Sequence, residues 1–233
     1  MKMKLLRIIL VIAIISSLYS AYHLMTWNID NQKTNNIVKK INIISKEEVK
    51  EDKTLSIDFN QLLQTNNEVV GWIKINGTKV DYPIVKHNDN SYYLTHSFDK
   101  TENEAGWIFM DSRNNHNNLD FNTIIYGHGR RDGSMFGGLF QTLNKEWINN
   151  EENHIIKLTT LNQSYLFKIF SIYYIDTVDD YIHITYDNEL LNKVKERSIY
   201  LLDKDVNLND KILTLSTCYN NEKKLVIHAK KIN

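Results

Sequence analysis

The sequence predicts a mainly β domain, a closed barrel or a sandwich, carried behind an apolar N-terminal segment. Eight or so runs rich in β-branched and aromatic residues succeed one another from Val69 to the C-terminus. Only two amphipathic helical patterns interrupt them, so strands and helices do not alternate as a parallel α/β sheet would require. The first two runs are separated by Asn76 and Gly77, a dipeptide that favours a tight hairpin turn.

Taken in order, the chain opens with Lys2, Lys4 and Arg7 ahead of "IILVIAIISSLYSAYHLM", residues 8–25, which carries no formal charge. That run is close to the roughly 20 residues a membrane-spanning helix needs. The basic residues ahead of it favour a cytoplasmic N-terminus and an exported domain, so residues 1–27 read as cytoplasmic tip and single-pass anchor. A cleaved signal peptide, with Ser20 and Ala21 at a processing site, and a buried core helix are the rival readings. Residues 28–55 are polar, without a sustained apolar face, and read as a stalk, helical toward its end. The folded domain is expected over 56–233.

Ser56 is a cap candidate for a short helix over "SIDFNQLLQTN", with Ile57, Leu62 and Leu63 near helical spacing. "VVGWIKING" and "TKVDYPIV" form the hairpin, and "GWIFM", "NTIIYG", "HIIKLTT", "SYLFKIFSIYYI", "KILTLSTC" and "LVIHAKKI" are the further strands. The turn "LNQ" joins two of these. Helices are predicted at "MFGGLFQTLN", after Ser134, and at "NELLNKVKERS", residues 188–198. No internal repeat or low-complexity tract is present.

Composition removes whole classes of function. Lysine plus arginine equals aspartate plus glutamate, 28 against 28, so no positive field exists to hold nucleic acid. "GHGRRDG" has Asp132 where a dinucleotide fingerprint needs its third glycine, and no P-loop, H-E-x-x-H or G-x-S-x-G occurs. The eight histidines are scattered, and a single cysteine cannot build a thiolate-rich metal site or an internal disulfide. No cofactor and no metal are expected.

That single cysteine, Cys218, ends the apolar-alternating run "TLSTC". A lone cysteine on a strand is usually a small inert hydrophobe. In an exported chain, however, an unpaired thiol is open to oxidation unless buried or put to use. Cysteine acyl transfer also needs a base, a proton donor for the leaving amine and positive charge at the developing oxyanion. His128 suits the base, because "NTIIYGHG" ends a strand in a glycine-flanked turn that leaves an imidazole room to face a cleft. His228, inside "LVIHAKK", reads as a structural histidine.

These residues carry a resemblance. "TLSTC" with "LVIHAK" after it, "IIYGHGRRDGSMFGGL" upstream, and "GWIKINGTKVDYPIV", "DNSYYL" and "AGWIFMDSRN" earlier still, is similar to the class B sortases, membrane-anchored cysteine transpeptidases of Gram-positive bacteria. It spans roughly Val69 to the C-terminus. The resemblance implies a closed eight-stranded sortase-type barrel with an N-terminal helix and a few short helices. It implies cleavage of a C-terminal sorting motif of exported proteins after a threonine, through a thioester, and transfer to an amine of the cell wall or a pilin lysine. By motif position Cys218 is the nucleophile, His128 the general acid and base, and Ser216 and Thr217 line the substrate groove.

In one place the chain departs from that class, which carries an arginine a few residues after the cysteine. Lys224 stands there instead, keeping the charge but losing the planar fork. Arg130, Arg131 or Arg197 could supply the oxyanion cation from another loop. A sortase-like thiol hydrolase and a catalytically weak binding or assembly protein stay open as alternatives.

Overall fold

The computed structural model describes residues 2–44, 47–49, 54–177, 181–218 and 222–233. In chain order these form α1 (Lys2–Ile44), β1 (Glu47–Val49), β2 (Leu55–Ile57), α2 (Asn60–Thr65), β3 (Val69–Ile75), β4 (Asp81–Val85), β5 (Phe109–Met110), β6 (Asn122–Tyr126), α3 (Lys145–Ile148), β7 (Ile155–Thr160), β8 (Ser164–Asp176), α4 (Asn188–Arg197), β9 (Tyr200–Leu201), β10 (Ile212–Cys218) and β11 (Lys223–Lys231). Short 3₁₀ turns lie at Tyr92–Leu94, Phe136–Leu143 and Glu151–His154.

The strands pair in the order β11-β10-β6-β5-β4-β3-β7-β8, and β8 pairs back onto β11, which closes an eight-stranded barrel; β9 adds to the outside edge of β8. Closure leaves few free ladder groups at the edges. Most neighbours are antiparallel, but β10 runs parallel to β6 and β4 parallel to β5. The β3–β4 turn holds Gly77 at φ +66, a conformation that L side chains avoid, so the Asn76-Gly77 prediction is met by a glycine with a steric reason to be there. Residues 161–163 join β7 to β8, closed by the Thr160 N–H donating to the Gln163 carbonyl at 2.8 Å.

Pleating sorts β10 into two faces. Leu213 and Leu215 point into the barrel core with Ile73, Ile125, Ile227 and Leu225, whereas Ile212 joins Phe170, Tyr173, Val226 and the α4 residues Leu191 and Val194 in a second cluster outside the barrel. The amphipathic α4, capped by the Asp187 side chain accepting from the Leu190 N–H at 2.8 Å, covers that outer face.

Three local readings differ from the sequence prediction. Ser56 caps no helix: it lies in β2, where the Leu55 carbonyl accepts hydroxyl hydrogen bonds from Thr159 and Ser164 at 2.8 and 2.7 Å, and the helix begins at Asn60. The segment after Ser134 is a 3₁₀ turn rather than an α-helix, and Gly137 there packs so closely on the Arg130 carbonyl that no Cβ fits. The polar residues after the apolar run continue α1 without a break and dock on the barrel, burying Thr34 and Ile41 and packing Ile37 and Val38 against the core. The docked stripe is apolar only at its far end, so its periodicity is faint. The apolar stretch of α1 itself stays exposed, and it is long and apolar enough to cross a membrane or to act as a signal sequence.

His228 is fully buried in the outer cluster, as a structural histidine should be. The Thr214 hydroxyl donates to Asn122 Oδ1 at 2.7 Å and therefore accepts from His228 Nδ1–H at 2.8 Å, while Tyr173 Oη–H donates to Nε2 at 2.9 Å. Burial pushes this imidazole from its usual value near 6.5 down to about 3. The unfolded chain takes up a proton at this residue as pH falls below 6.5, and the folded chain does not until about 3. The stability it contributes is therefore full above 6.5 and is lost toward 3, at up to about 1.4 kcal/mol per pH unit. In urea unfolding of the chain across that window, His228→Phe should be less stable than wild type at neutral pH and show a shallower loss on acidification.

Candidate active site

The site is built on the parallel ladder between β6 and β10. Register runs from Ile212 opposite Asn122 to Ser216 opposite Tyr126, and the Gly127 N–H donates to the Ser216 carbonyl at 3.3 Å. One residue beyond, His128 leaves the sheet beside the end of β10, where Cys218 is the last strand residue. Across the antiparallel β10–β11 ladder, Cys218 is the Cα partner of Lys224. The Cys218 side chain lies outside the described residues, as do residues 219–221 of the connection to β11.

His128 is half-buried and held from two sides. Its Nε2 lies 2.7 Å from the carbonyl of Leu94, the last residue of the 3₁₀ turn. A carbonyl only accepts, so Nε2 carries the proton in the neutral imidazole and Nδ1 is left as the basic nitrogen. Gly106, at φ +58, lies under the ring: a Cβ there would sit 2.8 Å from His128 Cδ2 and 2.6 Å from the Tyr93 carbonyl.

A cavity of about 280 Å³ opens in front of these elements, and its lining includes His128, Ser216, Thr217 and Lys224 together with Leu94 and Tyr126. Ser216 Oγ and Tyr181 Oη are hydrogen-bonded at 2.8 Å. The Thr217 hydroxyl is buried and has no hydrogen-bond partner among the described residues. Tyr126 is pinned by donating its hydroxyl to Asp111 Oδ2 at 2.7 Å, and Arg113 grips the same carboxylate through Nε and a terminal nitrogen at 2.9 and 2.8 Å. Burial raises the Asp111 carboxyl, but these donors outweigh it and hold the group down at about 2. Asp111 is thus an ionised anchor for the cavity wall, without a proton to give.

The described lining of this cavity includes one lysine or arginine, Lys224. Arg130 instead directs its guanidinium at Ser134 and Asp132, away from the cavity, at 3.0 and 3.4 Å. Arg131 lines a larger groove of about 1270 Å³ between α1 and residues 128–132, which shares His128 but not the cysteine strand. Arg197 lines a separate hollow beside α4. No group of three or more metal-ligating side chains occurs among the described residues.

A sortase-domain family model matches residues 73–232. The chain belongs to the sortase family. It is 38% identical over 168 residues to sortase B of Listeria monocytogenes, an alignment covering 69% of this chain and 67% of that relative. Against sortase B of Staphylococcus aureus it is 35% identical over 181 residues, 74% and 73% of the two chains. A crystal structure of a Bacillus anthracis protein described as similar to sortase B superposes with a TM-score of 0.74 at 36% identity, covering 88% of this chain and 96% of that one. The expected eight-stranded barrel with its N-terminal helix is that of sortase B, and the chain is a sortase-type cysteine transpeptidase.

Several residues that shape the site give little signal in the sequence. Leu94 contributes a backbone carbonyl, which no side chain advertises. Gly106, Asp111 and Tyr126 fall within the stretches that carry the resemblance, but nothing there marks what each does: Gly106 is one glycine before a tryptophan, Tyr126 one member of a strand-like run, and Asp111 the residue after another. The sortase barrel depends on Gly106 for the seat of the imidazole. Gly106→Ala forces an L residue into positive φ and against His128, so it should cost about 1–3 kcal/mol in thermal unfolding.

Proposed function

We propose that Cys218 is the nucleophile and His128 the general acid and base of a class B sortase reaction. In this reading the thiolate of Cys218 attacks the carbonyl carbon of a threonine in a C-terminal sorting motif of an exported protein. The tetrahedral oxyanion forms near Lys224, the C–N bond breaks, and protonated His128 gives its Nδ1 proton to the departing amine. An amine of a cell-wall precursor, or a pilin lysine, then attacks the thioester; His128 takes its proton and the thiolate leaves. Ser216 and Thr217 line the donor groove. The single observation that carries the assignment is the β6–β10 register, which brings the His128 turn and the Cys218 strand end to one mouth.

Lys224 as the oxyanion cation is supported by its place across the ladder from Cys218, since directly opposite residues share a face of a sheet, and by its place in the cavity lining. A single positioned donor is worth about 3–4 kcal/mol to such a step. The apolar part of α1 we read as an uncleaved anchor, with Lys2, Lys4 and Arg7 cytoplasmic and the barrel outside the cell.

Resemblance to class B suggests a sorting motif of asparagine- or serine-proline type, so the test is a library of peptides carrying such a pair ahead of a threonine, incubated with and without an added amine. Transfer product that depends on the amine supports a transpeptidase; hydrolysis product alone at every amine concentration points to a thiol hydrolase. Cys218→Ala should abolish cleavage, since the chain holds no second thiol to substitute. His128→Ala should lower turnover by on the order of 10²- to 10⁴-fold in a folded protein.

The cation is tested separately by single-turnover acylation. Lys224→Gln should slow thioester formation by on the order of 100-fold, and Lys224→Arg should keep or raise the rate. A near-wild-type Lys224→Gln beside an inactive arginine variant at 130, 131 or 197 would move the role to that arginine.

A further inference from the structure

The helix α1 does more than carry the apolar run. Its docked stripe, Asp30, Asn31, Thr34, Val38 and Ile41, recurs at helical spacing, and the polar end of that stripe meets both loops that flank the imidazole of His128. On one side, Asn103 Nδ2 donates to the Asp30 carbonyl at 3.3 Å and to Thr34 Oγ1 at 3.1 Å, and the Glu104 N–H reaches Asp30 Oδ2 at 3.4 Å. This is the loop that leads into Gly106, under the ring. On the other side, Arg130, two residues after His128, donates from a terminal guanidinium nitrogen to Asn31 Oδ1.

Arg130 is well placed to transmit that contact. Its side chain is 11% exposed, its Nε donates to Ser134 Oγ at 3.0 Å, and its backbone is packed against Gly137. The turn bearing His128 is therefore held at the ring by the Leu94 carbonyl, at the backbone by Gly137, and at the guanidinium by Ser134, Asp132 and Asn31. Of these partners Asn31 alone belongs to the N-terminal helix. At about 1.5 Å of rise per residue, Asn31 lies only about 9 Å beyond Met25, the end of the apolar run.

We propose that Asn31 is a positioning residue: by accepting from Arg130, it makes the N-terminal helix part of the device that sets the His128 turn. The inference rests on the role given to His128 under Proposed function. Losing the acceptor leaves a mostly buried guanidinium short of a partner and frees the turn on its α1 side. Displacements of about 1 Å at a reacting group can cost on the order of 100-fold, so a loosened turn should slow the chemical step rather than weaken substrate binding.

The experiment uses the full chain in detergent micelles and the best-cleaved peptide of the asparagine-proline or serine-proline library. Asn31→Ala should lower kcat about tenfold with little change in KM, and should move the limb of the pH–rate profile that reports the His128 imidazole. Asn31→Asp keeps an oxygen acceptor for Arg130 and should restore kcat to within about threefold of wild type. Thr34→Ala weakens the same docking without touching Arg130, and should lower the unfolding temperature while keeping the wild-type profile. Wild-type kcat and pH profile in Asn31→Ala, or an equal loss in Asn31→Ala and Asn31→Asp, would overturn the proposal. A wild-type chain that cleaves no library peptide would instead fail the proposed function, and this inference with it.

Discussion

The pairing of β6 with β10 is the constraint on which the rest of this structure depends. A parallel ladder aligns the C-terminal ends of its two strands, so the residues leaving β6 and those ending β10 emerge on the same rim of the barrel. Gly127 and His128 leave β6, and Cys218 ends β10. A slip of one residue would turn Thr214 and Ser216 inward and Leu213 and Leu215 out of the barrel toward α4, so burial of the two leucines in the barrel core locks the register. The core and the proposed chemistry are thus set by one alignment. The β10–β11 ladder then sets Lys224 opposite Cys218, and the closing β8–β11 pairing sets it beside Ile175.

Around that rim, charge is distributed with little redundancy. Asp111, the carboxylate that holds Tyr126 of the cavity wall, is spent on Arg113 and Tyr126, and Arg130 is spent on Ser134, Asp132 and Asn31. His228, the histidine of the final strand pair, is kept neutral by burial and hydrogen-bonded at both nitrogens, so it serves packing. Lys224 is the described lysine or arginine that lines the cavity with His128. A lysine offers a point charge on a flexible stem, so a groove that uses it needs other groups to orient the donor. The Ser216–Tyr181 hydrogen bond and the Thr217 hydroxyl, which has no partner among the described residues, line the same cavity.

Much of this was legible in the sequence, for reasons that differ by element. The strands announced themselves by β-branched and aromatic runs, the first hairpin by Asn76-Gly77, and α4 by its apolar stripe behind Asp187. Cys218 and His128 stood out because one is the sole thiol and the other sits between two glycines at a strand end. The illegible part depends on contacts between distant segments. Ser56 reads as a cap because the Thr159 and Ser164 hydroxyls that hold β2 extended lie 104 and 109 residues beyond Leu55. Residues 28–55 read as a polar stalk, and the docking of 28–44 is hidden in the sequence because that surface is half polar and its partners, Asn103, Glu104 and Arg130, lie on barrel loops. The Leu94 carbonyl that fixes the imidazole tautomer has no side-chain signature at all.

The central claim, that the β6–β10 alignment makes His128 and the lone thiol a coupled pair, is tested most directly by the pH dependence of iodoacetamide alkylation of the full chain. With one cysteine in the sequence, the rate reports Cys218 alone. A neighbouring imidazole that becomes cationic favours the thiolate and makes the two groups titrate together. Coupling predicts a wild-type profile with two inflections, the lower of which disappears in His128→Ala while His228→Phe retains it. Superimposable profiles for wild type and His128→Ala would contradict it.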